Sequence, residues 1–341
     1  MNTRVLHSPL TGVQRYVLAL SRRFGDHVET VIPRRHLSGI KGHAWEQFVL
    51  PTKVGGRLLF SPAITGPLAV TNQVVTIHDV VPLDHPEWLN REFAAWYRFL
   101  IPRLANRVAR VITISEFSKQ RLLAHTGLDE DRVTVIPNGV DNRFAPMAET
   151  ECSEKLAGLA LPCRHYVLCV GSLEPRKNLA RLLEAWSRIQ PDVPGDVWLV
   201  LAGQKGSERV FADRAGLARL PPRVHLTGHV PDDVLPALYA GARAFAYPSV
   251  YEGFGLPSLE AMAAGVPVLT GNQASLPEVV GEAGVMVDPY DVDALADGLL
   301  RLLDEPELRA RLRQEGLERA SQFTWDAAAE KTWAVLQAES S

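Results

Sequence analysis

The chain has 341 residues, 46% hydrophobic and 22% charged, longer than one hydrophobic core usually serves, so two soluble domains of about 150 residues are expected. No apolar run nears the ~18 residues of a membrane span, the start lacks a signal-peptide pattern, and three cysteines without ligand spacing (Cys152, Cys163, Cys169) argue against disulfide or zinc scaffolds. Net charge is −3, divided into +5 over residues 1–150 and −8 over 151–341, so an anionic partner of the first half is expected, a membrane surface or a phosphorylated acceptor.

Short β-branched runs alternate with helical patterns along the whole chain, the signature of βα units and parallel sheets. In the first half the expected strands are Arg4–His7, Val28–Ile32, Val74–Ile77, Val111–Ile114 and Val133–Ile136, with helices at Val13–Phe24, Arg91–Ala109 and Phe117–Ala124. A linker is expected over 148–164. Strands follow at Tyr166–Val170, Val197–Leu201, Val224–Leu226, Ala244–Tyr247, Val266–Leu269 and Val285–Val287. Helices near Val292–Leu303, Glu307–Gln322 and Trp325–Gln337 close the chain. The expected architecture is two doubly wound α/β domains facing a central cleft, 1–147 and 165–322, with 323–341 as a final helix crossing back to the first. Ligands of such sheets sit beyond the carboxyl ends of the strands.

Two strand-end segments carry the chemistry. Gly171-Ser172-Leu173-Glu174-Pro175-Arg176-Lys177-Asn178 follows a strand and enters a helix, with Asn178 as the expected N-cap. Arg176 and Lys177 are a cation pair suited to the charge that builds on a departing diphosphate. Further on, a strand ends at Tyr247 and a loop carries Glu252, Gly253, Phe254, Gly255 and Leu256 into a helix with Pro257 near its start. Gly253 and Gly255 admit close backbone approach, and the free N–H groups of the helix start suit a diphosphate. Glu260 is expected in the first helical turn, where it would accept ribose hydroxyls, and Glu252 in the loop, where it would bind sugar hydroxyls. No Asp-x-Asp pair is poised for a metal diphosphate, and no Gly-x-Gly-x-x-Gly follows a first strand.

Together these segments resemble the retaining glycosyltransferases of the GT-B fold, family-4 type. Glu252 and Glu260 match that family's Glu-x7-Glu motif, and Arg176-Lys177 match its basic pair. The Gly-Ser-Leu-Glu-Pro-Arg-Lys-Asn-Leu context is similar to bacterial mannosyltransferases of O-antigen and exopolysaccharide assembly. The resemblance implies a cytoplasmic, metal-independent hexosyltransferase with a nucleotide-sugar donor, no separate cofactor and no nucleic-acid partner. GDP-mannose is the implied donor, with UDP-glucose, UDP-N-acetylglucosamine and deoxysugar donors left open. It also implies that Gly12 and Gly171 near the phosphates, that the backbone at Val230 meets the base, and that His78 contacts the transferred sugar. Ser172 stands where some relatives carry another basic residue. Front-face attack and a covalent intermediate are both compatible with the sequence, and a nucleotide-sugar epimerase or a non-catalytic binding subunit are the rival readings.

The acceptor is expected to be a saccharide, free or lipid-linked. Residues 91–110 combine five arginines with Trp96, Tyr97 and Phe99, a composition that suits peripheral contact with the inner face of an anionic membrane.

Overall fold

The structure, a computed structural model, describes residues 1–8, 10–203 and 220–340. The chain divides into two compact units, one of Met1–Pro86, Arg91–Gly139 and Phe323–Ser341, the other of Glu87–Asn90 and Val140–Gln322.

Unit 1 is built on a parallel sheet of β1 (Leu59–Ser61), β2 (Gln73–Thr76), β3 (Arg110–Thr113) and β4 (Val133–Val135), in that spatial order. Its helices are α1 (Gly12–Phe24), α2 (Gly39–Ala44), α3 (Leu50–Val54), α4 (Val81–Asp84), α5 (Arg91–Arg107) and α6 (Glu116–Thr126). A π-helical turn, Trp45–Val49, joins α2 to α3. Both faces of the sheet are covered, which is why its strands read as apolar runs. On one face Val75, Val111 and Val133 pack with Leu100, Ile101, Leu104 and Ala105 of α5. On the other, the Tyr16 hydroxyl of α1 lies 3.1 Å from Thr76 Oγ1.

Unit 2 holds six parallel strands in the order β10-β9-β8-β5-β6-β7. In chain order they are β5 (His165–Val170), β6 (Val197–Ala202), β7 (Val224–Gly228), β8 (Ala244–Tyr247), β9 (Val268–Gly271) and β10 (Gly284–Val287). The helices are α7 (Glu149–Leu156), α8 (Leu179–Ile189), α9 (Leu235–Ala240), α10 (Leu256–Ala263), α11 (Leu276–Val280), α12 (Val292–Asp304) and α13 (Pro306–Ala320). Alternation with period two sends Val167, Cys169, Leu199 and Leu201 toward α8 and α12. The intervening Tyr166 and Phe245 meet α9, through the Tyr166 hydroxyl donating to Leu238 O at 2.9 Å and a Tyr239–Phe245 ring contact. The last helix, α14 (Trp325–Ser340), belongs to unit 1, where the Trp325 ring meets Tyr16 and Trp333 meets Phe24.

Four expectations are corrected. Arg4–His7 is a 3₁₀ turn: Arg4 N donates to Asn2 Oδ1 at 3.2 Å, an Asx-type bend that ends extended chain. Within Val28–Ile32 only Val31 pairs, bridging to Asn2, because Pro33 follows and offers no N–H. β1 was not anticipated, since Leu59-Phe60-Ser61 contains no β-branched residue. The expected linker folds as α7, with Cys152 buried in unit 2.

Gly139, the last residue of unit 1 before the chain leaves it, lies against the start of α14. A Cβ there would stand 2.1 Å from Trp325 N and 2.4 Å from the Thr324 carbonyl carbon. Both are backbone atoms, so Gly139→Ala is expected to cost about 1–3 kcal/mol through overpacking, lowering the urea midpoint of unfolding. Gly158→Ala, whose Cβ would meet nothing within 4 Å, serves as the unaffected comparison.

Candidate functional site

The carboxyl ends of β5 and β8 are neighbours in the sheet, so the loops that follow them meet. After β5 the chain passes Gly171 and makes a 3₁₀ turn, Pro175–Lys177, then Asn178 in the left-handed region (φ 57°, ψ 35°) before α8. Asn178 does not cap that helix with its side chain, a correction to its expected role. Its Nδ2 instead donates to Pro248 O at 3.1 Å and Pro289 O at 2.5 Å. One amide thereby ties the loops after β5, β8 and β10 together. Gly171 leaves room for the Lys177 stem: a Cβ there would sit 3.3 Å from Lys177 Cε.

Glu252 is the centre of the cluster. It is 6% exposed, and four donors surround its carboxylate. Lys177 Nζ donates to Oε1 at 2.7 Å, the Tyr247 hydroxyl to Oε1 at 3.0 Å, and Arg176 Nη1 to Oε2 at 2.7 Å. Ser249 Oγ lies 2.6 Å from Oε1, close enough for its single hydrogen. Lys177 also donates to the Tyr247 hydroxyl, and Arg176 Nε donates to Glu174 Oε2 at 2.8 Å. Glu252, expected to bind sugar hydroxyls, is thus already engaged by three donors at Oε1 and by one at Oε2. Burial by itself would raise the pKa of Glu252. The charges of Arg176 and Lys177, with the Lys177 and Ser249 hydrogen bonds, overcome it and hold the value down at about 2. Burial and the Arg176 charge lower the Lys177 pKa, with Glu252 and Glu174 opposing them.

The Glu252 backbone is held as well, with Ser275 Oγ donating to its carbonyl at 2.8 Å. Gly253, Phe254 and Gly255 are buried beyond it, and Leu256 is half-buried at the start of α10. Gly255 is the N-cap at φ 99° and Pro257 the second helical residue, so α10 starts where the sequence places it. Glu260 is the fifth residue of α10, in its second turn rather than its first. It is buried and accepts from the Tyr239 hydroxyl at 2.9 Å. Val230 is buried just beyond β7.

Two expected site residues belong to unit 1. Gly12 is the exposed first residue of α1 behind a Thr11–Gln14 capping box, where the sequence reading placed a glycine loop. His78 follows β2, is 5% exposed, and packs edge-on against the Tyr16 ring at 4.7 Å. Its Nε2 lies 2.8 Å from Pro62 O. A carbonyl only accepts, so Nε2 carries the proton and Nδ1 keeps its lone pair. Burial lowers the His78 pKa to about 4, against the opposing Pro62 hydrogen bond.

Sequence reasoning gave no site role to Tyr247, Ser249, Glu174 or Tyr239. The available signal lay in position: Tyr247 is the last residue of β8 and Ser249 follows two residues later, facing the same strand end as Glu252.

Three outcomes follow. Glu252→Gln leaves the buried Lys177 ammonium without its carboxylate and is expected to cost about 3–5 kcal/mol, measured by urea denaturation. Tyr247→Phe keeps the ring and deletes two hydrogen bonds with charged groups, one given to Glu252 and one accepted from Lys177, for an expected loss of at least about 1.5–3 kcal/mol in the same measurement. For His78, the unfolded chain binds its proton near pH 6.5 and the folded one only near 4. Stability is therefore lost as pH falls through that window, by up to about 3 kcal/mol. His78→Gln, which retains a donor toward Pro62, is expected to flatten that part of the urea-midpoint profile.

The chain matches the family model described as Glycosyl transferases group 1 over residues 161–319 and the one described as Glycosyltransferase Family 4 over 56–144. It is 34% identical over 261 residues to the O-antigen chain mannosyltransferase B of Escherichia coli, covering 76% of this chain and 68% of that one. It is 31% identical over 267 residues to the serotype-specific mannosyltransferase WbdA of Escherichia coli, covering 74% of this chain but only 32% of that longer protein. Among solved structures, the Anabaena protein HepE, crystallised with UDP and glucose, superposes with a TM-score of 0.75 over 96% of both chains at 20% identity.

Proposed function

The chain belongs to the group 1, family 4 glycosyltransferases of the GT-B fold, and from that premise we propose that it transfers mannose from GDP-mannose to a saccharide acceptor in surface-polysaccharide synthesis, with retention of anomeric configuration and without an essential metal. The observation that carries the site is the Glu252–Arg176–Lys177 cluster at the adjoining ends of β5 and β8. The mannosyl donor is supported by what the two Escherichia coli relatives are named for.

In this reading the bond from the anomeric carbon to the diphosphate oxygen breaks and its electron pair leaves with the nucleoside diphosphate. An acceptor hydroxyl oxygen takes the sugar, and its proton passes to an oxygen of the departing nucleoside diphosphate. Arg176 and Lys177 meet the charge that develops on the departing oxygens, fixed in place beforehand so that little reorganisation is needed during the reaction. The Leu256 N–H at the start of α10 offers the diphosphate a second anchor, since Pro257 has no N–H and Ser258 N donates to Gly255 O at 3.0 Å. Glu252 holds the two cations in position, and its backbone with Gly253, Phe254 and Gly255 orients the sugar. Glu260 takes a ribose hydroxyl, with Tyr239 fixing its other oxygen, and the backbones at Gly171 and Val230 flank phosphate and base. Gly12 and His78 keep the roles the resemblance implies, near the donor phosphates and at the transferred sugar, with His78 a neutral imidazole.

The acceptor is proposed as a saccharide, free or lipid-linked. No helix among the described residues is long and apolar enough to cross a membrane. For peripheral contact through 91–110, the support is exposed Phe99 with exposed Arg91, Arg98, Arg103 and Arg107, while Leu100, Ile101 and Leu104 of α5 pack on the sheet.

Thermal unfolding with GDP, UDP, dTDP or ADP tests the donor. A nucleotide bound only by the folded state at a hundred times its Kd stabilises by about 2.7 kcal/mol. GDP is expected to raise the melting temperature most, and Arg176→Ala to lose the shift while remaining folded by circular dichroism. Transfer of radiolabelled mannose from GDP-mannose to a mannosyl acceptor checks turnover. A larger shift with UDP would replace the donor and keep the site; no shift with any nucleotide would overturn both.

A further inference from the structure

α2, the π-helical turn and α3 form one continuous helical segment over 39–54. Its inward face buries Trp45, Leu50 and Val54 against Leu59. Its outward face is also apolar: Ile40 is 82% exposed, Phe48 78% and Val49 39%, and nearby Ile32 is 43% exposed. Single exposed apolar residues are ordinary, but four within 22 residues are not scattered. Between Ile32 and Trp45–Val49 runs a groove of about 400 Å³, with Trp45 on its floor and Arg34, Arg35 and Lys53 around it. Lys41 adds a fourth exposed cation to the segment. The one acid over 32–53, Glu46, is buried and engaged by Asn2 at 2.7 Å and Arg4 at 3.6 Å. Among the described residues none of the four cations is paired with a carboxylate.

We propose that this surface, residues 32–53 of unit 1, docks the protein on an anionic phospholipid bilayer. Phe48, Ile40 and Ile32 enter the headgroup boundary, and Arg34, Arg35, Lys41 and Lys53 meet lipid phosphates. Apolar residues flanked by cations, with no exposed acid, are the arrangement that interfacial binding requires. The π-turn supports the geometry, because its extra residue turns Phe48 outward while Trp45 and Glu46 stay buried. A second copy of the chain is the poorer occupant. In a two-fold contact the same patch faces itself, so four unpaired cations would oppose four. α5 is the poorer surface, because Leu100, Ile101 and Leu104 are spent on the sheet.

Flotation of the full chain with phosphatidylcholine vesicles, with and without phosphatidylglycerol, tests this directly. No sugar nucleotide is added, so the result stands apart from the donor reading. Binding is expected only with the anionic lipid and is expected to fall with added salt. Arg34→Ser with Arg35→Ser is expected to weaken it about tenfold or more, and Ile40→Ser with Phe48→Ser to do likewise. Phe99→Ser with Arg103→Ser, on α5, is expected to leave it intact. All six positions are exposed, and an unchanged melting temperature shows that each variant is folded. Absence of flotation, equal binding to neutral vesicles, or sensitivity confined to the α5 variant would overturn the proposal. So would self-association in the ultracentrifuge that the Ile40/Phe48 variant abolishes while flotation is absent.

Discussion

Unit 2 is organised around one buried carboxylate. Glu252 sits where the loops after β5 and β8 meet, and its charge is the reason two cations can be kept out of water there. A lone buried ammonium or guanidinium would be too costly to hold. With Glu174 on the far side of Arg176, the cluster carries two positive and two negative charges and is electrically balanced before any ligand arrives. Under the proposed function, a diphosphate would meet two cations already paired with carboxylates rather than an empty basic pocket. The residues outside the charge pairs fit this picture. Tyr247 and Ser249 supply Glu252 with donors that stay with it, and Asn178 holds the three loops whose convergence creates the cluster.

Much of this was legible in the sequence for a physical reason. Parallel strands covered on both faces are continuous apolar runs, and the strands of unit 2 read that way almost residue for residue. Glu252, Arg176 and Lys177 stand out because polar residues at a strand's carboxyl end have few structural reasons to cluster. What was not legible depended on long-range pairing. Whether Glu252 is free or already engaged turns on Tyr247 and Ser249 facing the same point as a lysine some 70 residues away, which spacing does not encode. The edges of unit 1 were misread because local hydrogen bonding won. Asn2 bends the chain where Arg4–His7 was expected to extend, and a three-residue strand without β-branching left no pattern to find.

Both units bury opposite charges together, Glu252 with Arg176 and Lys177 in unit 2 and Glu46 with Arg4 in unit 1, and unit 1 also buries His78 uncharged against a carbonyl and an aromatic edge. The first arrangement fixes an electric field and the second fixes a tautomer. The basic excess of the first half also gains a location. The four arginines and lysines of 32–53 lie beside exposed apolar side chains, whereas the arginines of α5 flank a helix already committed to its sheet.

The route of the chain has a practical consequence for anyone recombining such enzymes. Unit 1 is not a contiguous stretch: it gives up the chain at Gly139 and takes it back at Phe323, with α14 completing it. An N-terminal fragment ending near 139 would lack the helix that meets Tyr16 and Phe24, and would be isolated with an uncovered apolar face. A chimaera that borrows unit 2 from a relative should therefore be spliced as an insertion, with junctions at 139/140 and 322/323, so that the host keeps its own last helix.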